Sequence, residues 1–117
     1  MKNKLEKIFE KQKAFQYNFY NPDKMTEKDK IYFTKEYILC IHRELGEVLN
    51  LIPWKIHRKN KEGYNVDYLQ EELIDCFKFL LNLCIIWGIE PDEFFDKFIE
   101  KSKIVEDRYK NEIKNEK

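Results

Sequence analysis

Two short acidic motifs contain the residues whose types and spacing are best suited to chemistry. Glu44 and Glu47 form one acid-x-x-acid pair, and Glu72 and Asp75 form a second pair after 24 intervening residues. Side chains three positions apart on a helix lie on the same face, with about 5–6 Å between their Cβ atoms. If two antiparallel helices carry these pairs, the four carboxylates converge on one place.

Converging carboxylates predict a metal site. Each acidic pair interrupts an apolar stripe, which predicts that the acids face inward. Ionised carboxylates that lie close together repel one another, so a positive partner must hold them. Hard divalent cations prefer oxygen ligands, and Mg²⁺ in particular keeps water molecules and accepts phosphate oxygens. A di-iron site is not expected, because such bundles usually supply Glu-x-x-His pairs and the chain has only two histidines. The predicted metal ligands are Glu44, Glu47, Glu72 and Asp75.

A solvated helix face is the simpler interpretation of each acidic pair taken alone. Charged residues make up 38% of the chain, so acid-x-x-acid pairs also arise by chance on exposed surfaces. Two pairs on consecutive helical segments, each within an apolar stripe, favour the metal site instead.

The spacing of apolar residues predicts the helices that position these acids. Thr26 and Asn65 are suited to N-cap two of them, and Gly88 is suited to end the third. After the last helix, a charged tail is expected from about residue 110. The four predicted helices span residues 3 to 17, Thr26 to Asn50, Asn65 to Trp87, and Pro91 to about 110.

These elements predict a single all-α domain over residues 1–117, folded as a bundle of four to five helices. The chain contains only three glycines and three prolines, which is typical of long elements joined by few turns. The second half of the third helix is apolar nearly all round, so it must be covered on all sides. In a chain this short, part of that cover is expected from a second subunit, which predicts a homodimer.

Net charge, the length of the apolar runs and the cysteine pattern argue against several classes of partner. The 22 basic and 22 acidic residues give no net charge, which argues against binding to a nucleic-acid polymer. The N-terminus lacks an apolar signal segment, and the longest apolar run, residues 76–87, is too short to span a bilayer. Three cysteines without a CxxC motif indicate reduced thiols. We therefore expect a cytoplasmic protein with no membrane partner.

The two acidic pairs and their spacing resemble the all-α nucleoside triphosphate pyrophosphatase superfamily, which includes the MazG-like enzymes and the dimeric dUTPases. The dimeric dUTPases are the closer resemblance, over roughly residues 5 to 110. The segment around Gln12 is similar to one whose Gln contacts uracil in that family. Asn50 and the Trp54-Lys55 pair also resemble it. Lys101 and Arg108 resemble its phosphate-binding Lys and Arg.

The resemblance implies an enzyme that hydrolyses dUTP between the α- and β-phosphates, with dUDP as an alternative second substrate. It implies two or more Mg²⁺ ions, with Mn²⁺ able to substitute. Glu47 is our choice for the residue that also orients the attacking water. Lys78 lies inside an apolar run, where a buried ammonium needs Asp75 or a substrate phosphate as its partner. The predicted substrate-binding residues are Gln12, Asn50, Trp54, Lys55, Lys78, Lys101 and Arg108.

Departures from the family pattern leave two alternatives open. Phe15, Lys78 and Val105 occupy positions where the family often has Asn, His and Asn, respectively. These changes favour a MazG-like pyrophosphohydrolase acting on dCTP or on other or modified nucleotides as the second hypothesis. The third hypothesis is a non-catalytic helical interaction protein, in which the acids form a solvated stripe. The nearby basic residues, Arg58, Lys59 and Lys61, are interpreted as an ordinary solvated loop.

Overall fold

The computed structural model describes residues 1–55 and 63–115, so Arg58, Lys59 and Lys61 lie outside the described part of the chain. All the regular secondary structure in these two ranges is α-helical, which confirms the predicted all-α class. The helices are α1 (Lys4–Gln16), α2 (Glu27–Asn50), α3 (Val66–Ile86) and α4 (Pro91–Asn115).

Helices α2 and α3 have side-chain N-caps at the two positions that the sequence predicts. The Thr26 hydroxyl accepts a hydrogen bond from the backbone N–H of Asp29 at 3.1 Å. The Asn65 carboxamide oxygen accepts one from the backbone N–H of Tyr68 at 3.0 Å. Each cap satisfies one of the N–H groups that the first turn of a helix leaves without an intrahelical partner. The predicted N-caps of α2 and α3 are therefore confirmed.

Gly88 ends α3 in a left-handed conformation, with φ of 79°. The N–H of Ile89 donates to the carbonyl of Cys84 at 2.9 Å, and the N–H of Gly88 donates to that of Ile85 at 3.0 Å. This pair of bonds is the Schellman motif, and glycine is the residue that adopts its positive φ without a steric penalty. The motif reverses the chain sharply, so that α4 begins only three residues later at Pro91.

The last helix is longer than the sequence analysis predicts. The charged segment expected as a tail from about residue 110 continues α4 as far as Asn115. No glycine or proline interrupts α4 after Pro91, and its Lys and Glu residues are good helix formers. Nothing in this segment therefore stops the helix.

Helices α2 and α3 pack against each other in antiparallel fashion. The Trp87 indole N–H, just after α3, donates to the hydroxyl of Thr34, which lies in the first half of α2, at 2.9 Å. Further along, the rings of Tyr37 and Phe79 lie with their centroids 6.0 Å apart. Helix α1 packs on α3, whereas α4 contacts α1 and no other helix within the described residues. This arrangement brings the end of α2 beside the beginning of α3.

The chain leaves much of its apolar surface uncovered. The buried hydrophobic side chains among the described residues are Phe9, Cys76, Ile85 and Ile86. The accessible surface is 10122 Å², whereas a compact monomer of this mass exposes about 6,900 Å². The radius of gyration is 18.5 Å, against about 13 Å for a compact domain of this length. The predicted all-round apolar half of α3 is therefore only partly covered by the chain's own helices.

Within the described ranges, no helix combines the length and the apolar character needed to cross a membrane.

Candidate metal and nucleotide site

Three of the four predicted metal ligands converge where α2 and α3 pack together. Glu44, Glu72 and Asp75 each offer a carboxylate oxygen, and these oxygens all lie within 4.8 Å of one another. Glu44 lies two turns before the end of α2, and the other two lie in the second and third turns of α3. One cation, or two adjacent cations, between the two helices can reach all three carboxylates.

The partial burial of the three converging acids is suited to binding a divalent cation. Glu44 and Glu72 are half-buried, whereas Asp75 is exposed. The Oε2 atom of Glu72 is buried and has no hydrogen-bond partner among the described residues. A buried carboxylate oxygen without a donor is costly, and a hard cation would satisfy it. The residues present therefore fit a Mg²⁺ or Mn²⁺ site.

The electrostatics of the group indicate an excess of negative charge. Partial burial raises the pKa of Glu44, and the negative charge of Glu47 raises it further. The pKa of Tyr68, which faces the same group from α3, is raised mainly by the charge of Glu72. Both groups are harder to ionise than usual, because further negative charge at this place is unfavourable. The positive side chains nearby therefore do not neutralise the charge of the carboxylates.

The raised pKa of Glu44, caused by partial burial and then by neighbouring negative charge, predicts a pH-dependent effect of Glu44→Gln on the metal-free protein. A carboxyl group whose pKa is raised by folding favours the folded state when protonated and opposes it when ionised. At neutral pH the variant should therefore have a larger free energy of unfolding than the wild type. The difference should disappear as the pH falls through the raised pKa of Glu44. Urea unfolding in the presence of a chelator, at about pH 7 and about pH 4, measures both values.

Glu71→Gln is the matched control for this comparison, because Glu71 is an exposed acid on α3 outside the converging group. Its effect on stability should be small at both pH values. An equal gain at neutral and acidic pH in Glu44→Gln would contradict the raised pKa of Glu44.

Glu47 lies outside the group of three converging carboxylates. Its side chain is 48% exposed and pairs with the Arg43 guanidinium at 3.6 Å, one turn earlier on α2. Glu47 therefore does not face inward as predicted, because it pairs with Arg43 along the surface of α2 instead. Asp75 does converge with Glu44 and Glu72, although it is exposed in the single chain. Glu47 nevertheless remains close enough for its charge to raise the pKa of Glu44.

A cavity of about 390 Å³ opens beside the acid group. Its volume is in the range of small-molecule binding sites in proteins. Two of the acids line one part of it, and two lysines together with aromatic and amide side chains line the rest. The lining residues are Lys11, Gln12, Phe15, Glu44, Asp75, Lys78, Phe79 and Asn82. A ligand in this cavity would thus contact metal-binding carboxylates and neutral hydrogen-bonding groups at the same time.

An amide pair forms the neutral polar part of the cavity. Gln12 donates from Nε2 to Oδ1 of Asn82 at 2.8 Å, which joins α1 to α3. The predicted binding residue Gln12 therefore lies in the cavity. Asn82 was not predicted, although its position as a polar residue within the longest apolar run indicated that it needs a partner.

Lys78 also lines the cavity, but it is exposed. The expectation of a buried ammonium is wrong, because the Lys78 side chain lies at an open cavity between α1, α2 and α3 and is not enclosed by them. Its charge faces the space beside Asp75, where it is available to an anionic ligand.

The remaining predicted binding residues lie away from this cavity. Asn50 is exposed at the last position of α2, and the Lys55 ammonium lies 5.5 Å from the ring centroid of Trp54. Lys101 and Arg108 are exposed on α4, which contacts only α1 among the described helices. The structure therefore does not bring these residues to the acid group within one chain.

Comparison with known proteins identifies the family. A sequence model described as dUTPase matches residues 4–115, which is nearly the whole chain. This chain belongs to the dUTPase family. The resemblance seen in the acidic pairs is thus confirmed, and the family supports dUTP hydrolysis as the general activity of this enzyme. No curated protein and no solved structure matches the chain.

Proposed function

We propose that this member of the dUTPase family hydrolyses dUTP to dUMP and pyrophosphate in a Mg²⁺-dependent reaction, and that it also accepts dUDP, which would give dUMP and phosphate. The observation that carries this proposal is the convergence of Glu44, Glu72 and Asp75 within 4.8 Å beside a cavity lined by lysine, amide and aromatic side chains. A nucleoside triphosphate has the matching parts, namely a charged phosphate chain and a flat hydrogen-bonding base.

The three converging carboxylates, together with Glu47, are the proposed metal ligands. When bound, two or more Mg²⁺ ions would neutralise charge on the triphosphate and on the departing pyrophosphate, and Mn²⁺ would be able to replace them. The carboxylates hold their positions because α2 and α3 are packed together. The site is therefore arranged before the substrate arrives, which reduces the entropy cost of orienting it.

Glu47 is the proposed general base. Its exposed side chain lies at the edge of the acid group. It pairs with Arg43 on the same helix, with 3.6 Å between the Arg43 Nε atom and a carboxylate oxygen of Glu47. Such a surface ion pair is weak, so Glu47 can turn towards a water molecule near the α-phosphate and accept its proton. Glu47 would thus take a proton from the attacking water as the water oxygen bonds to the α-phosphorus, while the bond from that phosphorus to the bridging oxygen breaks and pyrophosphate leaves.

Lys78 and Gln12 are proposed to bind opposite ends of the substrate. The ammonium of Lys78 faces the cavity beside Asp75 and would contact a phosphate oxygen. The carboxamide of Gln12 would contact the base. Asn50, Trp54, Lys55, Lys101 and Arg108 are retained as further proposed substrate contacts, supported by the family membership of the chain.

We also propose that the enzyme is a cytoplasmic homodimer. The large uncovered apolar surface supports the dimer. All three cysteines are free thiols, which is usual in a reducing compartment.

Pyrophosphate release from a panel of nucleotides tests the proposed reaction. The panel contains dUTP, dCTP, dTTP, dATP, dGTP and UTP, each with Mg²⁺ or with a chelator. We expect rapid release from dUTP that requires the metal. Glu47→Gln should lower kcat for dUTP by about a hundredfold or more, because it loses the general base, while it leaves the fold unchanged.

Other outcomes point to the other hypotheses. Faster release from dCTP, or equal rates on all nucleotides, would favour the broader MazG-like activity. Absence of release from every nucleotide, with the helical content intact and no Mg²⁺ binding by calorimetry, would favour a non-catalytic helical protein.

A further inference from the structure

We propose that a second cavity, at the opposite end of α3 from the acid group, binds a linear aliphatic polyamine. This cavity has a volume of about 650 Å³, which is in the range of small-molecule sites. It lies between α1, the last turn of α3 and the beginning of α4. Ile85 on its wall is ten residues after Asp75, which is about 15 Å further along the helix. The cavity is therefore separate from the candidate metal site, and binding there does not depend on the proposed hydrolysis.

The floor of this second cavity is apolar. Phe9, Ile85 and Ile86 are buried, and the half-buried Ile89 lines the cavity beside them. Side chains of this kind form no hydrogen bonds with a ligand. They are suited to contact methylene groups, because the removal of apolar surface from water is favourable.

The rim of the cavity has an excess of negative charge. Five carboxylates and three ammonium groups line it, so the formal excess is two negative charges. The carboxylates come from both sides. Glu6 and Glu10 belong to α1, whereas Glu90 and Asp92 belong to the segment where α4 begins. A ligand with an apolar middle and a positive group at each end matches this distribution.

The three lysines of the rim already have partners in the protein. Lys2 forms an ion pair with Glu10. The Lys13 ammonium lies 2.7 Å from a carboxylate oxygen of Asp23. The third ammonium, that of Lys30, lies 5.7 Å from the centroid of an indole ring, where it makes a cation–π contact. The positive groups of the rim are thus engaged within the chain.

Two acids of the rim are available to a ligand. Neither Glu6 nor Glu90 forms an ion pair in the part of the chain that the structure describes. The Glu6 carboxylate accepts a hydrogen bond only from the neutral carboxamide of Asn3, at 3.0 Å. One ammonium group of a polyamine would pair with Glu6 and another with Glu90, while the methylene groups between them cover the apolar floor.

An anionic ligand is the competing explanation, because the N-terminus of a helix attracts negative charge. The first turn of α4 is poorly suited to this role. Pro91 has no backbone N–H, and the N–H of Glu90 already donates to the Glu93 carboxylate at 3.2 Å. An anion would also meet the net negative charge of the rim. The electrostatics therefore favour a cation.

Amide NMR titration of the full chain tests the site, with saturating Mg²⁺ present so that the metal competes for the acid group. The probes are spermidine, cadaverine, pentylamine and ethylenediamine. Spermidine and cadaverine should shift the amide signals of Ile85 and Ile89. Pentylamine has the chain of cadaverine with only one ammonium group, so it should bind about threefold to tenfold more weakly. Ethylenediamine keeps two charges but lacks three methylene groups, so it should bind about tenfold more weakly or worse.

Two acid-to-amide variants test the rim. Glu6→Gln and Glu90→Gln should each weaken spermidine binding by about threefold, and the double variant by about tenfold. Glu100→Gln is the matched control, because Glu100 is an exposed acid of α4 outside the cavity. It should bind spermidine as the wild type does. Circular dichroism of each variant confirms that the helices are intact.

Several results would overturn the polyamine site. One is the absence of shifts at Ile85 and Ile89 with every amine, which is also the result if a second copy of the chain covers the cavity. Equal affinities for cadaverine, pentylamine and ethylenediamine would show that neither the second charge nor the apolar floor contributes. Unchanged spermidine binding in the double variant would place the amine elsewhere. Larger shifts with inorganic phosphate than with spermidine would show an anion site instead.

Discussion

Replacing Glu72 with Gln should lower kcat/KM for dUTP by about a thousandfold, because it removes the most enclosed of the converging carboxylates. Glu72 is half-buried, and its Oε2 atom has no hydrogen-bond partner among the described residues. The neutral amide keeps the shape of the side chain but presents an NH₂ group where the cation needs an oxygen. Pyrophosphate release under saturating Mg²⁺ measures the loss of activity, and calorimetry measures the loss of metal affinity.

Stability measurements give a second readout of the same substitution. In the absence of metal, Glu72→Gln should raise the melting temperature, because one of several repelling charges is removed. Adding Mg²⁺ should raise the melting temperature of the wild type, since a ligand that binds only the folded state stabilises it. The same addition should have much less effect on the variant. Opposite effects on stability and activity are typical of a site that is strained without its ligand.

Glu71→Gln is the control, as it removes the same charge from the adjacent, exposed position of α3. Its activity and its response to Mg²⁺ should match those of the wild type. Similar losses of activity in both variants would indicate that general surface charge, and not a metal site at Glu72, supports the reaction.

Replacing Phe77 with Glu should convert the proposed homodimer into a monomer. Phe77 lies on the apolar half of α3 and is 63% exposed in the single chain. Large apolar surfaces of this kind are usually covered by a partner. A carboxylate placed in such an interface loses its hydration without gaining a partner, which costs several kcal/mol. We therefore expect the dimer dissociation constant to increase by about a hundredfold or more.

Sedimentation velocity at micromolar concentration measures this effect directly. The wild type should sediment as a dimer and the Phe77→Glu protein as a monomer. Gln70→Glu introduces the same side-chain charge at a polar, exposed position of the same helix and should remain dimeric. A wild type that is monomeric at this concentration would contradict the proposed dimer. A Phe77→Glu protein that remains dimeric would place the interface elsewhere.

The sequence was a reliable guide wherever the deciding interaction is local. Thr26 and Asn65 are the N-caps of α2 and α3, and Gly88 supplies the left-handed residue after α3. Each of these features depends on backbone groups within a few residues. The same reasoning placed each acidic pair on one face of its own helix, because residues three positions apart are neighbours on the helix surface.

Local sequence was thus enough to predict the four helices, all their ends except that of α4, and the set of acids available for a metal. Tertiary structure alone decided that Glu44, Glu72 and Asp75 converge while Glu47 lies at the edge, and that Gln12 meets Asn82 from 70 positions away. The physical reason is that helical periodicity is fixed by the backbone geometry of each segment. Which faces meet, and how deeply each side chain is covered, depends instead on the packing of all the helices together.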